Sequence, residues 1–368
     1  MSISVWGYLK EYTEEKSEIF EAITSVLESG QLILGPQVAA FEEAFAHYCG
    51  TKFGIGVDNG TNAITLALIA LGIKPGDEVI TVSNTAVPTV SAIVSMGATP
   101  VFVDIDPHTY LMDTDQIEPA LSNKTRCILP VHLYGQCVKM NQVNGLAKEY
   151  NLKVLEDCAQ AHGARQNGQT AGSMSDASSF SFYPTKILGT YGDGGIVLTS
   201  NSHIQEKLKR LRFYGMEETY NATEHGYNSR LDELHAAILL KKLIHLDSYI
   251  QKRRNIAKIY GELLSDTDLQ LPVVENNNDH AYYVYVVRHP KRDAIIKKLK
   301  EQDIHLNISY PWPIHTMKGY SHFKYQQGSL PQCESAAKEI FSLPMFPTLD
   351  PKDAEQVCSA LKGILNNL

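Results

Sequence analysis

The chain has 368 residues, of which 43% are hydrophobic and 20% charged, with a formal net charge of −8 at neutral pH. This composition excludes a disordered chain, and the length suits two packed units better than one. The acidic balance argues against a nucleic-acid partner, which needs a concentrated basic patch. The basic stretches "EKLKRLR" and "HPKRDAIIKKLKEQ" alternate with apolar residues at helical spacing, so each is expected to be the wet face of a packed helix.

Taken in chain order, the elements alternate. The opening "MSISVWGYLKEYTEEK" lacks a basic start followed by an apolar core, so no signal peptide is expected. "EEKSEIFEAITSVLESG" has Ile19, Ile23, Val26 and Leu27 at helical spacing, with Gly30 placed to end it. A second helix follows Pro36. The run "FGIGV" precedes a helix near Gly60, and "EVITV" precedes one near Val87. The segment from Ser83 to Val103 carries no charge, yet Asn84, Pro88, Gly97 and Pro100 break it into loop, helix and strand, which predicts burial and no membrane span. "TPVFVDI", "RCILPV", "LKVLED", "FSFY" and "GIVLTS" read as further strands, with helices from about Met140 and over "SHIQEKLKRLRFYG". Apolar strands separated by helices imply a mostly parallel sheet covered on both faces, an α/β fold. After Asn228 the pattern changes to helices over about Leu231 to Leu264. Then come "YYVYVVRH", a helix from Arg292, an extended "IHLNI", the aromatic loop "SYPWPIHTMKGY" and two closing helices. The expected division is a large α/β domain over 1–245 and a smaller α+β domain over 246–368. The six cysteines, Cys49, Cys127, Cys137, Cys158, Cys333 and Cys358, form no C-x-x-C pair and several lie in apolar runs. They are expected to be reduced and buried in a cytoplasmic protein, with no metal site.

Three short stretches carry chemistry. In "SFSFYPTKILGTYGDGG", Lys186 stands alone among aromatic, small and glycine residues. The glycines at 192, 194 and 195 lead into a strand, whereas a dinucleotide-binding loop leads from a strand into a helix, which disfavours an NAD enzyme. In "VLEDCAQAHGA", Asp157 ends an apolar strand, where open α/β sheets place ligands, and Gln160 and His162 follow closely. In "VDNGTNAITLAL", Gly60 and Thr61 begin a helix whose free amides and dipole make an anion site. A sheltered lysine, a carboxylate at a strand end and an anion-binding helix start are what pyridoxal phosphate needs: an amine for its aldehyde, an anion for its ring nitrogen and amides for its phosphate.

Those motifs also resemble a known family, the DegT/DnrJ/EryC1/StrS sugar aminotransferases, which have the aspartate aminotransferase (type I) fold. The resemblance runs over nearly the whole chain, through "SGQLILGPQVAAFEEAFAHYCG", "DNGTNAI", "GATPVFVDIDPHTYLMD", "PVHLYGQ", "LEDCAQAHGA", "SFYPTKILGTYGDGG", "YNSRLDELHAAIL" and "FSLPMFPTL". It implies that Lys186 bonds the cofactor, Asp157 partners the ring nitrogen and Gln160 lies beside the ring hydroxyl. It further implies that Gly60, Thr61 and Ser181 hold the phosphate. Asn228 would reach the phosphate from the neighbouring subunit of a homodimer with shared sites. Ala86 stands where many members stack an aromatic residue on the ring. The implied reaction passes an amino group from glutamate, through the pyridoxamine phosphate form, to a nucleotide-linked keto-sugar. The segment around Lys186, with Tyr183 and Asp193, resembles the branch acting on carbon 3 of dTDP-linked 3-keto-6-deoxyhexoses. A 4-keto sugar and a non-catalytic sensor on the same fold are the alternatives. Tyr310, His315 and Lys318 in the aromatic loop are candidate substrate contacts.

Overall fold

The structure is a computed structural model that describes residues 2–218 and 220–368. The helices are α1 (Tyr8–Ser29), α2 (Pro36–Cys49), α3 (Gly60–Ala70), α4 (Val87–Ser95), α5 (Met140–Glu149), α6 (Ser202–Leu211), α7 (Glu233–Leu243), α8 (Leu246–Leu264), α9 (Arg292–Lys300), α10 (Pro331–Glu339) and α11 (Pro351–Leu365). The strands of the main sheet are β1 (Phe53–Val57), β2 (Glu78–Val82), β3 (Thr99–Val103), β4 (Thr125–Ile128), β5 (Lys153–Asp157), β8 (Ala177–Ser181) and β9 (Gly195–Thr199). Between β5 and β8 lie two-residue strands β6 (Arg165–Gln166) and β7 (Gln169–Thr170). Beyond β9 come the short pair β10 (Met216–Glu218) and β11 (Asn221–Ala222), then β12 (Asn278–Asp279), β13 (Tyr285–Arg288) and β14 (Ile340–Leu343).

The seven-stranded sheet runs in the order β1-β9-β8-β5-β4-β2-β3. Its strands are parallel except β9, which pairs antiparallel with both β1 and β8. The antiparallel strand was not legible, because an apolar run such as "GIVLTS" carries no direction. Burial on both faces explains the near-continuous apolar strands: in β9 every residue is buried. Helix α2 packs against β1, α3 against β8 and β9, and α5 against β4 and β5. The parallel strands therefore send their carboxyl ends to one edge, and the site is built there.

Around this sheet is one large hydrophobic cluster; a second gathers Ile3, Ile256, Tyr260, Val287, Phe341 and Leu361 between α8, α11 and the antiparallel pair β13–β14. Ile3 joins the second cluster through a parallel bridge to Ile304, so the first residues of the chain pack with its last part. Helix α1 begins earlier than its periodicity suggested, at Tyr8, and ends at Gly30 with φ 69°. It buries Glu15, Ile19, Ala22 and Val26, while Leu27 faces out. The six cysteines are free and buried. Among the described residues no helix is long and apolar enough to cross a membrane.

Candidate active site

Four segments converge at the carboxyl edge of the sheet. The first is the start of α3. Asn59 caps it, its side-chain oxygen accepting from the Asn62 amide at 2.8 Å and its carbonyl from the Ala63 amide. That leaves the amides of Gly60 and Thr61 to the cavity they line. The second is the β2–α4 loop with Ala86 and, one turn later, Thr89. The third is the end of β5, carrying Asp157. The fourth runs from Ser181 at the end of β8 through Tyr183 to Lys186. Together with Tyr283 they enclose a cavity of about 330 Å³.

Asp157 is 4% exposed. It accepts from the Ala159 amide at 3.1 Å and from the Thr89 hydroxyl at 2.8 Å. Burial pushes its carboxyl above the ordinary range, and this outweighs those hydrogen bonds and the opposing pull of Lys186. The Lys186 ammonium lies 4.7 Å from the centre of the Tyr283 ring, a cation–π contact. The Tyr283 hydroxyl is 3.1 Å from that of Thr185, which fixes the ring. Gln160, three residues after Asp157, is buried. It accepts from the Tyr134 amide at 2.8 Å and donates to the Tyr310 hydroxyl. Tyr134 and Tyr310 are stacked 6.4 Å apart, and both have left-handed backbones, φ 61° and 62°. Such strain in bulky residues persists only where surrounding contacts enforce it.

These residues fit pyridoxal phosphate. A Cβ at Gly60 would come 2.6 Å from that of Ser181, and one at Gly195 would come 2.5 Å from the Asn59 carbonyl. Only glycine at both positions lets the helix start press against the ends of β8 and β9. Two free amides and the Ser181 hydroxyl then face one cavity, a cradle for a phosphate. Across the cavity, Asp157 offers an anion with few donors of its own, and Lys186 offers an amine.

The structure thus brings Gly60, Thr61, Ala86, Asp157, Ser181, Tyr183 and Lys186 to one cavity; Gln160 and Tyr310 are bonded to each other but are not among its lining residues. It does not bring the other sequence candidates there. His315 is buried, with Nδ1 2.7 Å from the Ser83 hydroxyl and Nε2 3.0 Å from Glu334. Both ring nitrogens are occupied, so it ties the aromatic loop to the β2–α4 loop and to α10. Lys318 is exposed on a short turn. His162, expected to join the cluster after Asp157, is fully buried among Phe45, Phe180 and Phe182. Burial and then Lys186 push its pKa down to about 3, so it stays neutral. Asn228 is exposed and bridges Phe213, outside this chain's own cavity. Residues the sequence did not flag are Asn59, Thr89 and Tyr283.

Residues 13–362 match the DegT/DnrJ/EryC1/StrS aminotransferase family. A dTDP-3-amino-3,4,6-trideoxy-alpha-D-glucose transaminase of Micromonospora megalomicea subsp. nigra is 53% identical, over 100% of both chains. A dTDP-3-amino-3,6-dideoxy-alpha-D-galactopyranose transaminase of Aneurinibacillus thermoaerophilus is 46% identical, over 94% of this chain and 95% of that one. The crystal structure of S. venezuelae DesV in complex with a ketimine intermediate superposes with a TM-score of 0.98 at 38% identity, covering 100% of this chain and 99% of that one. The chain belongs to the DegT/DnrJ/EryC1/StrS aminotransferase family and is an enzyme of that class.

Proposed function

We propose that this enzyme uses pyridoxal phosphate to move an amino group from glutamate to carbon 3 of a dTDP-linked 3-keto-6-deoxyhexose, as a homodimer in the cytoplasm. The observation that carries the reading is the single cavity joining Lys186, Asp157 and the open start of α3. When bound, pyridoxal phosphate supplies the electron sink that makes amino-group transfer possible.

The chain's own residues do the rest. The amides of Gly60 and Thr61 and the Ser181 hydroxyl hold the phosphate, with Asn228 of the partner subunit completing that end. Asp157 keeps the ring nitrogen protonated. Gln160, held by Tyr134 and Tyr310, lies beside the ring hydroxyl, and Ala86 gives the ring a small apolar contact in place of an aromatic one. Lys186 holds the aldehyde at rest. Its Nζ would act as general base and acid, carrying the proton between the substrate carbon and the cofactor for the glutamate donor and, in the opposite direction, for the keto-sugar. Glutamate leaves as 2-oxoglutarate. Tyr183 and Asp193 line the cavity and set which sugar carbon comes within attack distance.

Carbon 3 is supported by the names of the 53% and 46% identical relatives. Six free, buried cysteines support a reducing compartment. The division into 1–245 and 246–368 belongs to the same proposal, supported by the second hydrophobic cluster, with Ile3 packing across it. The test supplies dTDP-linked 3-keto- and 4-keto-6-deoxyhexoses separately, with glutamate and pyridoxal phosphate. Higher kcat/KM for the 3-keto sugar is expected. Preference for the 4-keto sugar overturns the regiochemistry, and no turnover of either overturns the substrate class.

A further inference from the structure

Asp157 is held by more than its own strand. The loop between β2 and α4 places Thr85 just before the helix and Thr89 in its first turn, four residues apart. Their hydroxyls are 2.8 Å from each other, and that of Thr89 is 2.8 Å from Oδ2 of Asp157. All three side chains are buried: Thr85 is 2% exposed, Thr89 1% and Asp157 4%. The directions in this chain are forced. An ionised carboxylate carries no proton, so Thr89 must donate to Asp157. A hydroxyl has one hydrogen, so toward Thr85 it can only accept, and Thr85 must donate. The remaining carboxylate oxygen, Oδ1, takes the Ala159 amide. A hydroxyl pair with every proton already committed favours one charge state of its acceptor and one orientation of its oxygens.

We propose that Thr85 and Thr89 are positioning residues that act through Asp157, a two-hydroxyl relay that holds this carboxylate ionised and aimed at the cofactor ring. The proposal rests on Asp157 being the partner of the ring nitrogen. Burial works against the ionised form at this site, and the Thr89 hydroxyl is among the few groups opposing it. The other charged and titratable groups that act on Asp157 are Lys186 from the loop after β8, His132 from the β4–β5 connection, Cys158 beside it and Tyr310 from the aromatic loop. Replacing either threonine leaves all four in place. Removing a hydroxyl therefore raises the Asp157 pKa further, and the pH below which the ring pairing is lost moves up.

The test measures the dissociation constant of pyridoxal phosphate by equilibrium dialysis from pH 5.5 to 8.5, alongside the acid limb of kcat/KM, in isosteric variants. In Thr89→Val the pH at which affinity falls should rise by about one unit, the size of one lost hydrogen bond to a charged group. Thr89→Ser keeps the hydroxyl and should restore the wild-type midpoint. Thr85→Val should move it by a smaller step, and should add nothing in a Thr89→Val background, because Thr85 reaches the carboxylate only through Thr89. Unshifted midpoints in Thr89→Val overturn the relay, as does an additive double variant. If Thr89→Val does not fold, Thr85→Val and Thr89→Ser decide alone: a midpoint unmoved by Thr85→Val, or shifted in Thr89→Ser, overturns it. Asp157→Asn separates the two readings. If Asp157→Asn binds the cofactor with the wild-type pH dependence, the ring-partner assignment itself fails; if it is defective while Thr89→Val is not, only the relay fails.

Discussion

Glu156 and Asp157 are neighbours at the end of β5, their side chains on opposite faces of the sheet, and both are buried. Glu156 accepts from the amides of Gly172 and Met174 at 2.9 Å each, from the Ser175 hydroxyl at 2.8 Å and from His132 at 2.9 Å. His132 takes the Val138 amide on Nδ1, so its Nε2 carries the proton given to Glu156. Burial raises the Glu156 pKa, but these donors outweigh it and the net direction is down. Asp157 has half as many donors, and burial wins. Burial alone therefore does not mark a functional carboxylate. A buried carboxylate short of donors and facing a cavity awaits a cation, while one fully supplied is a fastener. Glu334 repeats the second case, accepting from His315, Gly328 and Leu330.

The largest effects are expected at the site. Lys186→Ala should reduce turnover by about 10⁴-fold or more, the upper range for loss of a positioned acid–base group. The unfolding midpoint should move little, since the side chain is half-exposed. Steady-state kinetics and urea titration check both. Glu156→Gln should cost about 2–4 kcal/mol of stability, because an amide nitrogen would face backbone donors in a sealed site. Asp157→Asn should slow turnover by at least about tenfold, a barrier increase of roughly 1.4 kcal/mol. Yet without cofactor it should be as stable as wild type or more so. The pH signs are opposite. The Glu156 pKa is lowered by folding, so its contribution is present above the ordinary carboxylate range and is lost as pH falls through its folded value. The Asp157 pKa is raised, so its buried charge costs stability at neutral pH, and that cost fades as pH falls into its range. Urea unfolding of the cofactor-free variants between pH 4 and 8 reads both, and matching slopes in the two variants would break the distinction. The smallest effect tests the shared site. Mixing Lys186→Ala with Asn228→Ala subunits should recover about a quarter of wild-type activity, because half the re-formed dimers are mixed and each holds one intact site.

Much of this was legible in the sequence because the alternation of apolar strands and helices fixes where strand ends fall. Asp157 could be placed from the end of "VLED", and Gly60 and Thr61 from the junction of "FGIGV" with a helical run. Lys186 was conspicuous for lacking charged neighbours. What stayed hidden depends on contacts distant in sequence. Tyr283 reads as part of a strand in "YYVYVVRH", and nothing local announces that its ring meets Lys186. Thr89 reads as an ordinary helix residue until Asp157, 68 residues on, is brought beside it. For His315 and His162, too, the surroundings are set by contacts distant in sequence: Ser83 and Glu334 on the two ring nitrogens of the first, and an aromatic cage around the second.

The most direct test of the account is to locate the cofactor on the chain. Purified protein loaded with pyridoxal phosphate is reduced with borohydride, digested and analysed by mass spectrometry. The cofactor mass should appear on the peptide spanning Tyr183 to Gly195, at Lys186, and be absent from that peptide in Lys186→Ala. Cofactor attached to another lysine in the wild-type protein, or none retained at all, would contradict the account.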